Sequence, residues 1–395
     1  MTTDPLRFTL SPDVARQQVR QLLIDLVAIP SYGGNEGPIL QYLLDRFGRQ
    51  GIPCRVTELE GKPLNLVAEI GQGSRAIILN SHVDTVPPGD PGLWRTDPLV
   101  PVEKDGRIYG RGAEDAKGCL AAMIVAFEAL AARRAELPVR VILMAVGAEE
   151  RGGLGTKLEV QRGLRADAAI VGESTELEPK LAHKGVLRLE VEVTGKAAHA
   201  SDPEAGVNAV VAMAPVISAL DRLAAEIRGR EERYTGKASL VISTIAGGVA
   251  LNVIPAGCVI SIDRRVLPTE TEEKATEEIV RTVTAALPKA GGAAVEVRKV
   301  RFVAPSTTPA DAAIVRAAER AAARLLARPV RAGGFTATCD MTYLVNDGRI
   351  PTIILGPDSI EAAHQANECI SLEQTAQAVA LYLDTLCLWA ADAGC

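Results

Sequence analysis

Four short apolar runs in this chain end beside residues that bind metal ions. Residues 76–80 lead into Ser81-His82-Val83-Asp84, residues 139–146 into Glu149-Glu150, residues 168–171 into Gly172-Glu173, and residues 350–356 lead on to His364. In an open α/β sheet, ligands bind in the crevice outside the carboxyl ends of the strands. Apolar strands that deliver His, Asp and Glu to one rim therefore describe a two-metal hydrolase site. His82 and Asp84 are two residues apart, so on an extended strand both side chains point the same way, and one can bind a metal while the other orients it or its ligand. The same spacing arises by chance around a structural histidine, but the chain has only four histidines and two of them sit beside strand ends with carboxylates.

Asp115 lies in Gly110-Arg111-Gly112-Ala113-Glu114-Asp115-Ala116-Lys117-Gly118, directly ahead of a long Ala-rich segment. Taken alone it reads as an ordinary helix cap. A tight glycine loop is also what placing one carboxylate between two ions requires, because it lets the backbone approach closely. Glu149 and Glu150 follow an apolar strand, where paired acids are costly unless cations or water offset them; a solvated loop start is the plainer alternative. Neighbouring side chains near a strand end tend to face different ways, so one acid can ligate metal while the other faces the substrate water as general base. Glu173 and His364 complete two imidazoles and three carboxylates for two metals, a set that suits zinc or cobalt better than calcium or magnesium. Cys119, Cys339 and Cys369 lie near these motifs, but no Cys-His-Asn or Gly-x-Ser-x-Gly signature accompanies them, so packing roles are expected.

The elements that must position these residues follow from periodicity. Residues 11–26 are apolar at helical spacing, with Ser11 as N-cap and Pro12 at the first helical position. A second helix is expected at 36–49, strands at 55–57 and 64–69, a helix at 118–133, and buried strands at 138–146 and 168–171. Strands alternating with helices predict an α/β fold with a mostly parallel, covered sheet. The pattern changes near Gly185: residues 186–193 alternate apolar and charged, as a half-exposed strand does. A helix at 206–228, strands at 238–245 and 258–266, a helix at 271–286 and a strand at 295–302 give the split βαβ pattern of a small α+β, ferredoxin-like domain. A helix at 309–327 and a strand at 352–355 return to the first style. The expected organisation is a catalytic domain from residues 1–184 and 305–395, with an inserted lid or dimerisation domain at 185–304.

Composition excludes several function classes. The 395 residues suit about two domains. With 43 Lys plus Arg against 49 Asp plus Glu, a net charge of −6 and no dense basic block, nucleic acid and acidic membrane surfaces are poor partners. The seven cysteines include no Cys-x-x-Cys pair and fit a reducing cytoplasm. Met1-Thr2-Thr3-Asp4-Pro5-Leu6-Arg7 carries an acid and a proline where a signal peptide would be basic and then apolar, and no apolar run approaches the roughly 20 residues of a membrane helix. A cytoplasmic protein is expected.

Taken in order, His82-Val83-Asp84-Thr85-Val86-Pro87, the 110–118 loop, Glu149-Glu150 with Gly152-Gly153, Gly172-Glu173 and Ala363-His364-Gln365-Ala366-Asn367-Glu368 resemble the successive motifs of one co-catalytic zinc family. That family includes acetylornithine deacetylase, succinyl-diaminopimelate desuccinylase, aminoacylase, glutamate carboxypeptidase and related dipeptidases. The resemblance implies two zinc ions per subunit, with cobalt able to substitute. It places His82 and Glu173 on one ion, Glu150 and His364 on the other, and Asp115 between them. Asp84 would orient His82. Glu149 would be the general base for water attack on an amide carbonyl, later passing the proton to the leaving amine. Gly195-Lys196-Ala197-Ala198-His199 resembles the segment whose histidine reaches a partner subunit's active site, so His199 is the candidate oxyanion donor, against a plain surface histidine.

Asn252-Val253-Ile254-Pro255 and Asp263-Arg264-Arg265 resemble the segment that holds the substrate's carboxylate. A bidentate Arg suits a carboxylate. Arg265 matches better than Arg264, although a shift of one would turn the side chain to the other face. For His183, at the domain junction, a structural hydrogen bond reads as well as a role in the site. Gly172-Glu173-Ser174-Thr175 lacks a proline common after the acidic ligand, and Ala366 replaces a frequent proline; neither change removes a ligand.

The expected activity is therefore hydrolysis of N-acyl amino acids, with a metal-dependent dipeptidase or carboxypeptidase as the alternative. A catalytically silent zinc-dependent binding protein is the reading from a different class, and Glu149 together with the full ligand set argues against it. A homodimer is expected, with 186–193 as a candidate edge strand pairing across a two-fold axis.

Overall fold

The computed structural model describes residues 8–287 and 292–392. The first seven residues, on which the absence of an export signal was read, lie outside the described residues. The chain divides into two compact units. One comprises Met1–Leu181, Thr307–Phe335 and Cys339–Cys395, and the other Ala182–Ser306 with Thr336–Thr338.

The first unit is built on a sheet whose central strands are parallel. Ala76–His82 lies between Arg140–Val146 and Ala168–Val171, and Thr352–Ile354 runs beside the latter. Every residue of Ala76–His82 is buried, which explains a continuous apolar run in place of alternation. Toward the edges the pairing turns antiparallel: Lys62–Gly71 lies against Arg140–Val146 and forms a hairpin with Cys54–Leu59, while Ile354 pairs with Lys180.

Helix Leu372–Ala391 packs against Pro12–Val27, Gly118–Ala131 and Ala313–Leu326. Pro12–Val27 begins as its sequence predicts, with the Ser11 hydroxyl accepting from the Val14 N–H (3.4 Å) and proline in the first turn. Gly118–Ala131 is buried on nearly every face and is a core helix. The helix expected from residue 309 begins only at Ala313. Residues 309–312 form a turn instead, closed by the Ala312 N–H on the Pro309 carbonyl (3.0 Å). Among the described residues, no helix is long and apolar enough to cross a membrane.

The second unit carries a four-stranded antiparallel sheet in the order Ser239–Gly247, Gly257–Val266, Gly185–Thr194, Ala294–Val303. Helices Ala209–Ile227 and Glu272–Ala286 contribute the other half of its core, with Met213, Leu220, Ile279 and Val283 packed among Leu189, Val191, Ile260 and Ile262. Strand, helix, two strands, helix, strand in this sheet order is the ferredoxin-like arrangement. One expectation is corrected here. Gly185–Thr194 is an interior strand, bonded on both sides, and so cannot be a free edge; its alternation arises because one face meets the helices and the other does not. The edges of this sheet are Ser239–Gly247 and Ala294–Val303.

Candidate two-metal site

Parallel pairing places three strand ends side by side. His82 pairs with Val146, and Asn80 with Val171, so the residues that leave these strands emerge at one rim. His82 closes its strand and is 1% exposed. Its Nδ1–H donates to the Asp84 backbone carbonyl (2.8 Å), which turns Nε2 toward Asp115 Oδ1 (3.0 Å) and Glu173 Oε1 (3.9 Å).

Asp115 stands in a tight turn over Ala113–Lys117, just ahead of Gly118–Ala131, with a cis peptide to Ala116. Gly112 enters this turn at φ 81°, where a Cβ would come within 2.4 Å of the Thr85 side chain. The second oxygen of Asp115 faces His364 Nε2 at 3.0 Å, and the same nitrogen is 3.1 Å from Glu150 Oε1. One carboxylate thus faces two imidazoles. The ligand atoms of His82, Asp115 and Glu173 lie within 4.8 Å of one another, as do those of Asp115, Glu150 and His364.

The hydrogen bond expected between the Asp84 carboxylate and His82 is made instead by the Asp84 backbone carbonyl, which leaves the carboxylate for other partners. The carboxylate is 3.7 Å from the imidazole, while its two oxygens accept the backbone N–H groups of Glu149 (3.0 Å) and Glu150 (3.2 Å). It therefore fixes the turn that carries both acids. Burial pushes the Asp84 carboxyl up to about 6 against the pull of His82.

The other charges are also displaced. Burial pushes Glu173 and Glu149 well above the usual carboxylate range, with His82 opposing in both cases. Burial would likewise raise Asp115, but hydrogen bonds from His364 and His82 hold it well below that range. His364 is pushed up to about 10 by hydrogen bonds to Asp115 and Glu150. Burial disfavours charge on His82, yet Asp115 and Glu173 outweigh it and raise the imidazole well above its ordinary value. Two imidazole nitrogens aimed at carboxylate oxygens need a cation between them, either a proton or a metal. This donor set, nitrogen and oxygen without thiolate, fits a pair of divalent metal ions.

His199, Asn252 and Arg265 belong to the second unit. The His199 segment pairs with the Asn252 segment through Ala200 N–H to the Asn252 carbonyl (3.0 Å) and Ile254 N–H to the Ala198 carbonyl (2.8 Å). His199 is exposed, and its Nδ1 accepts the Ser201 N–H (3.2 Å), so in the neutral ring the proton sits on Nε2. Asn252 is exposed. Arg265 lies half-buried beside Asp263, its Nε donating to Oδ1 (2.8 Å). Arg264 faces the opposite way, is fully buried, and pairs with Glu270 (2.5 Å). His183 is fully buried, with Nδ1–H donating to the Lys184 carbonyl (2.8 Å), as a structural histidine would.

Two further acids were given no role from the sequence. Asp340 is buried, accepts the Thr156 hydroxyl (2.6 Å) and lies close enough to Glu149 to raise it. Glu368 is buried against the loop that carries Asp115. An acid inside a stretch as apolar as Cys339-Asp340-Met341 is the one signal that marks the first.

Residues 78–387 match the family model described as peptidase family M20/M25/M40. The chain is 32% identical over 354 residues to acetylornithine deacetylase of Pasteurella multocida (strain Pm70), covering 87% of this chain and 89% of the relative. It is similar in structure to an M20 family metallo-carboxypeptidase from Sulfolobus solfataricus (TM-score 0.79, 20% identity, 95% of this chain and 99% of the other). A Bacillus subtilis protein described as a dinuclear metal-binding peptidase of the M20 family is also similar (TM-score 0.72, 18% identity, 95% and 98% covered).

Proposed function

The chain belongs to peptidase family M20/M25/M40 and is a metal-dependent amidohydrolase or peptidase, and from that premise we propose that it is a dinuclear zinc deacylase acting on N-acyl amino acids. Acetylornithine deacetylation and succinyl-diaminopimelate desuccinylation are the reaction types in view. The observation that carries the two-metal reading is Asp115, whose two oxygens each stand 3.0 Å from a different imidazole. The deacylase branch is supported by the Pasteurella relative, which is matched over most of its length. Zinc, with cobalt as a substitute, is supported by the mixed imidazole and carboxylate donors.

In this reading His82 and Glu173 would hold one ion and Glu150 and His364 the other, with Asp115 available to both. Two divalent cations bound there would polarise the amide carbonyl and lower the pKa of water to about 7. Glu149 takes the proton from the attacking water and returns it to the departing amine nitrogen. The Nε2–H of His199, supplied by the second subunit of a homodimer, donates to the oxyanion. Asn252 and Arg265 hold the substrate's carboxylate, with the planar guanidinium matching it in two places. We place the reaction in the cytoplasm.

The test is a hydrolysis screen of zinc- or cobalt-loaded protein against N-acetylornithine, N-succinyl-diaminopimelate, other N-acetyl amino acids and a dipeptide panel, with a chelated control. Metal-dependent release from acyl amino acids alone supports the proposal. Preference for dipeptides moves the chain to the peptidase branch, and silence on every substrate despite bound metal sinks the deacylase reading.

A further inference from the structure

The motif that supplies His364 contains a second acid with an unusual surrounding. Glu368 is only 1% exposed, and all its partners come from the loop that carries Asp115. Oε2 accepts from Arg111 Nη1 (2.6 Å) and the Gly112 N–H (3.0 Å), while Oε1 accepts from the N–H groups of Glu114 (2.9 Å) and Asp115 (3.1 Å). Backbone contacts extend the same junction. The Gly110 N–H donates to the Glu368 carbonyl (3.0 Å), and Cys369–Ser371 pairs with Arg107–Tyr109. Just ahead, Asn367 accepts from the Arg95 N–H (2.7 Å) and donates to the Leu93 carbonyl (3.2 Å).

Three of the four donors on the carboxylate are main-chain N–H groups, so what Glu368 fixes is the path of residues 112–115. A buried carboxylate with four donors is a charge-assisted cluster, stronger than the same number of neutral bonds. The Arg111 guanidinium supplies the opposite charge that makes the burial tolerable. His364 lies one short turn upstream on the segment that Glu368 anchors, and Asp115 is the residue that the clamp ends on.

We infer that Glu368 is a positioning residue that locks the Asp115 loop to the His364 segment, so that both halves of the metal site depend on a carboxylate that contacts neither ion. The inference rests on the two-metal reading above. It has a chemical signature. Glu368→Gln preserves shape but replaces one oxygen with an N–H donor, and either amide orientation then points that donor at two other donors. Removing an outer partner of a metal ligand typically lowers metal affinity or activity about 10- to 100-fold.

The experiment is titration of apo protein with cobalt(II), followed by visible absorption and calorimetry, on the natural chain, Glu368→Gln and Glu368→Asp. Far-UV circular dichroism checks that each apo protein is folded, and kcat and KM are measured after loading. Glu368→Gln should bind at least one cobalt ion about 10- to 100-fold more weakly, with an altered visible spectrum and a lower kcat at nearly unchanged KM. Glu368→Asp, which keeps the charge but is one methylene shorter, should fall between it and the natural chain. Two cobalt ions bound by Glu368→Gln with the natural affinity and spectrum would overturn the inference. If the Gln variant does not fold, the Asp variant decides: weaker cobalt binding supports the inference and natural binding overturns it. A natural chain that binds no pair of cobalt ions would instead overturn the two-metal reading, and the inference with it.

Discussion

At the scale of single residues, the site separates acids that face an imidazole from acids that do not. Glu150, Glu173 and Asp115 each approach a histidine nitrogen within 4 Å. Glu149 is held beside them by its backbone bond to Asp84. Glu149→Ala should therefore keep two metals per subunit and lose about 10²- to 10⁴-fold in kcat. Metal analysis alongside kinetics checks this, and loss of metal there would mean that base and ligand are exchanged. Asp84→Asn should be damaging without removing a ligand, because one of its two acceptor oxygens becomes a donor facing the Glu149 or Glu150 N–H. A kcat reduced about tenfold or more, with both ions retained, is the expected result, in line with the cost of a lost partner.

The facing residues were legible in the sequence because strand ends in a parallel sheet converge. The role of the Asp84 carboxylate was not, because its bonds go to main-chain N–H groups, which every residue type but proline carries. Glu368 was hidden for the same reason: it stood inside a recognisable motif while its partners in the 112–115 loop differ in side chain and share only their backbone.

At the scale of elements, Gly257–Val266 shows how alternation distributes function. Arg264 points into the core and pairs with Glu270, whereas Arg265 points the other way beside Asp263. Adjacent substitutions should have opposite consequences. Arg264→Ala should destabilise the protein by about 1–3 kcal/mol, through loss of a fully buried side chain, while Glu270 keeps its pairing with Arg230. Arg265→Ala should leave stability within about 0.5 kcal/mol, as for most surface changes, and raise KM for substrates that bear a free carboxylate. Denaturant melts and kinetics on the two variants separate these effects.

Gly153, in the turn after the paired acids, sits at φ 68° with space for a Cβ only 2.2 Å from the Tyr343 ring. Gly153→Ala should lower stability by more than about 1 kcal/mol, with a fall in kcat as the turn moves. The period-two pattern of residues 186–193 revealed a strand with one wet face, but not its neighbours. Alternation reports which faces are covered, whereas edge or interior position depends on which segments come to pair. The late start of Ala313–Leu326 is a similar case, since Pro309 fits the first turn of a helix and also the turn that in fact precedes it.

At the scale of the whole molecule, the second unit is one continuous insertion closed by three residues near 337, and its edge strand Ser239–Gly247 exposes Val241 and Ile245. An exposed apolar edge is a ready template for pairing with another chain. Light scattering at working concentration should give the mass of a homodimer; a monomer would remove the case for His199 as a donor from the second subunit. Metal removal should lower the thermal midpoint, because a ligand that binds only the folded state stabilises it by an amount that grows with the logarithm of its free concentration over Kd. Scanning calorimetry with and without chelator checks this.

The chain's linear order adds a timing constraint. His82, Asp115, Glu150 and Glu173 all precede the insertion, whereas His364 and Glu368 follow it. Domains tend to fold as they emerge during synthesis, the N-terminal parts first. A ribosome-bound chain therefore presents four of the five proposed ligands before the insertion is made and the fifth only after it, and the Asp115 loop waits equally long for Glu368. On the proposed ligand set, the metal site is completed only after the insertion has been synthesised, so hydrolytic activity is expected only in a chain that has been read past Glu368.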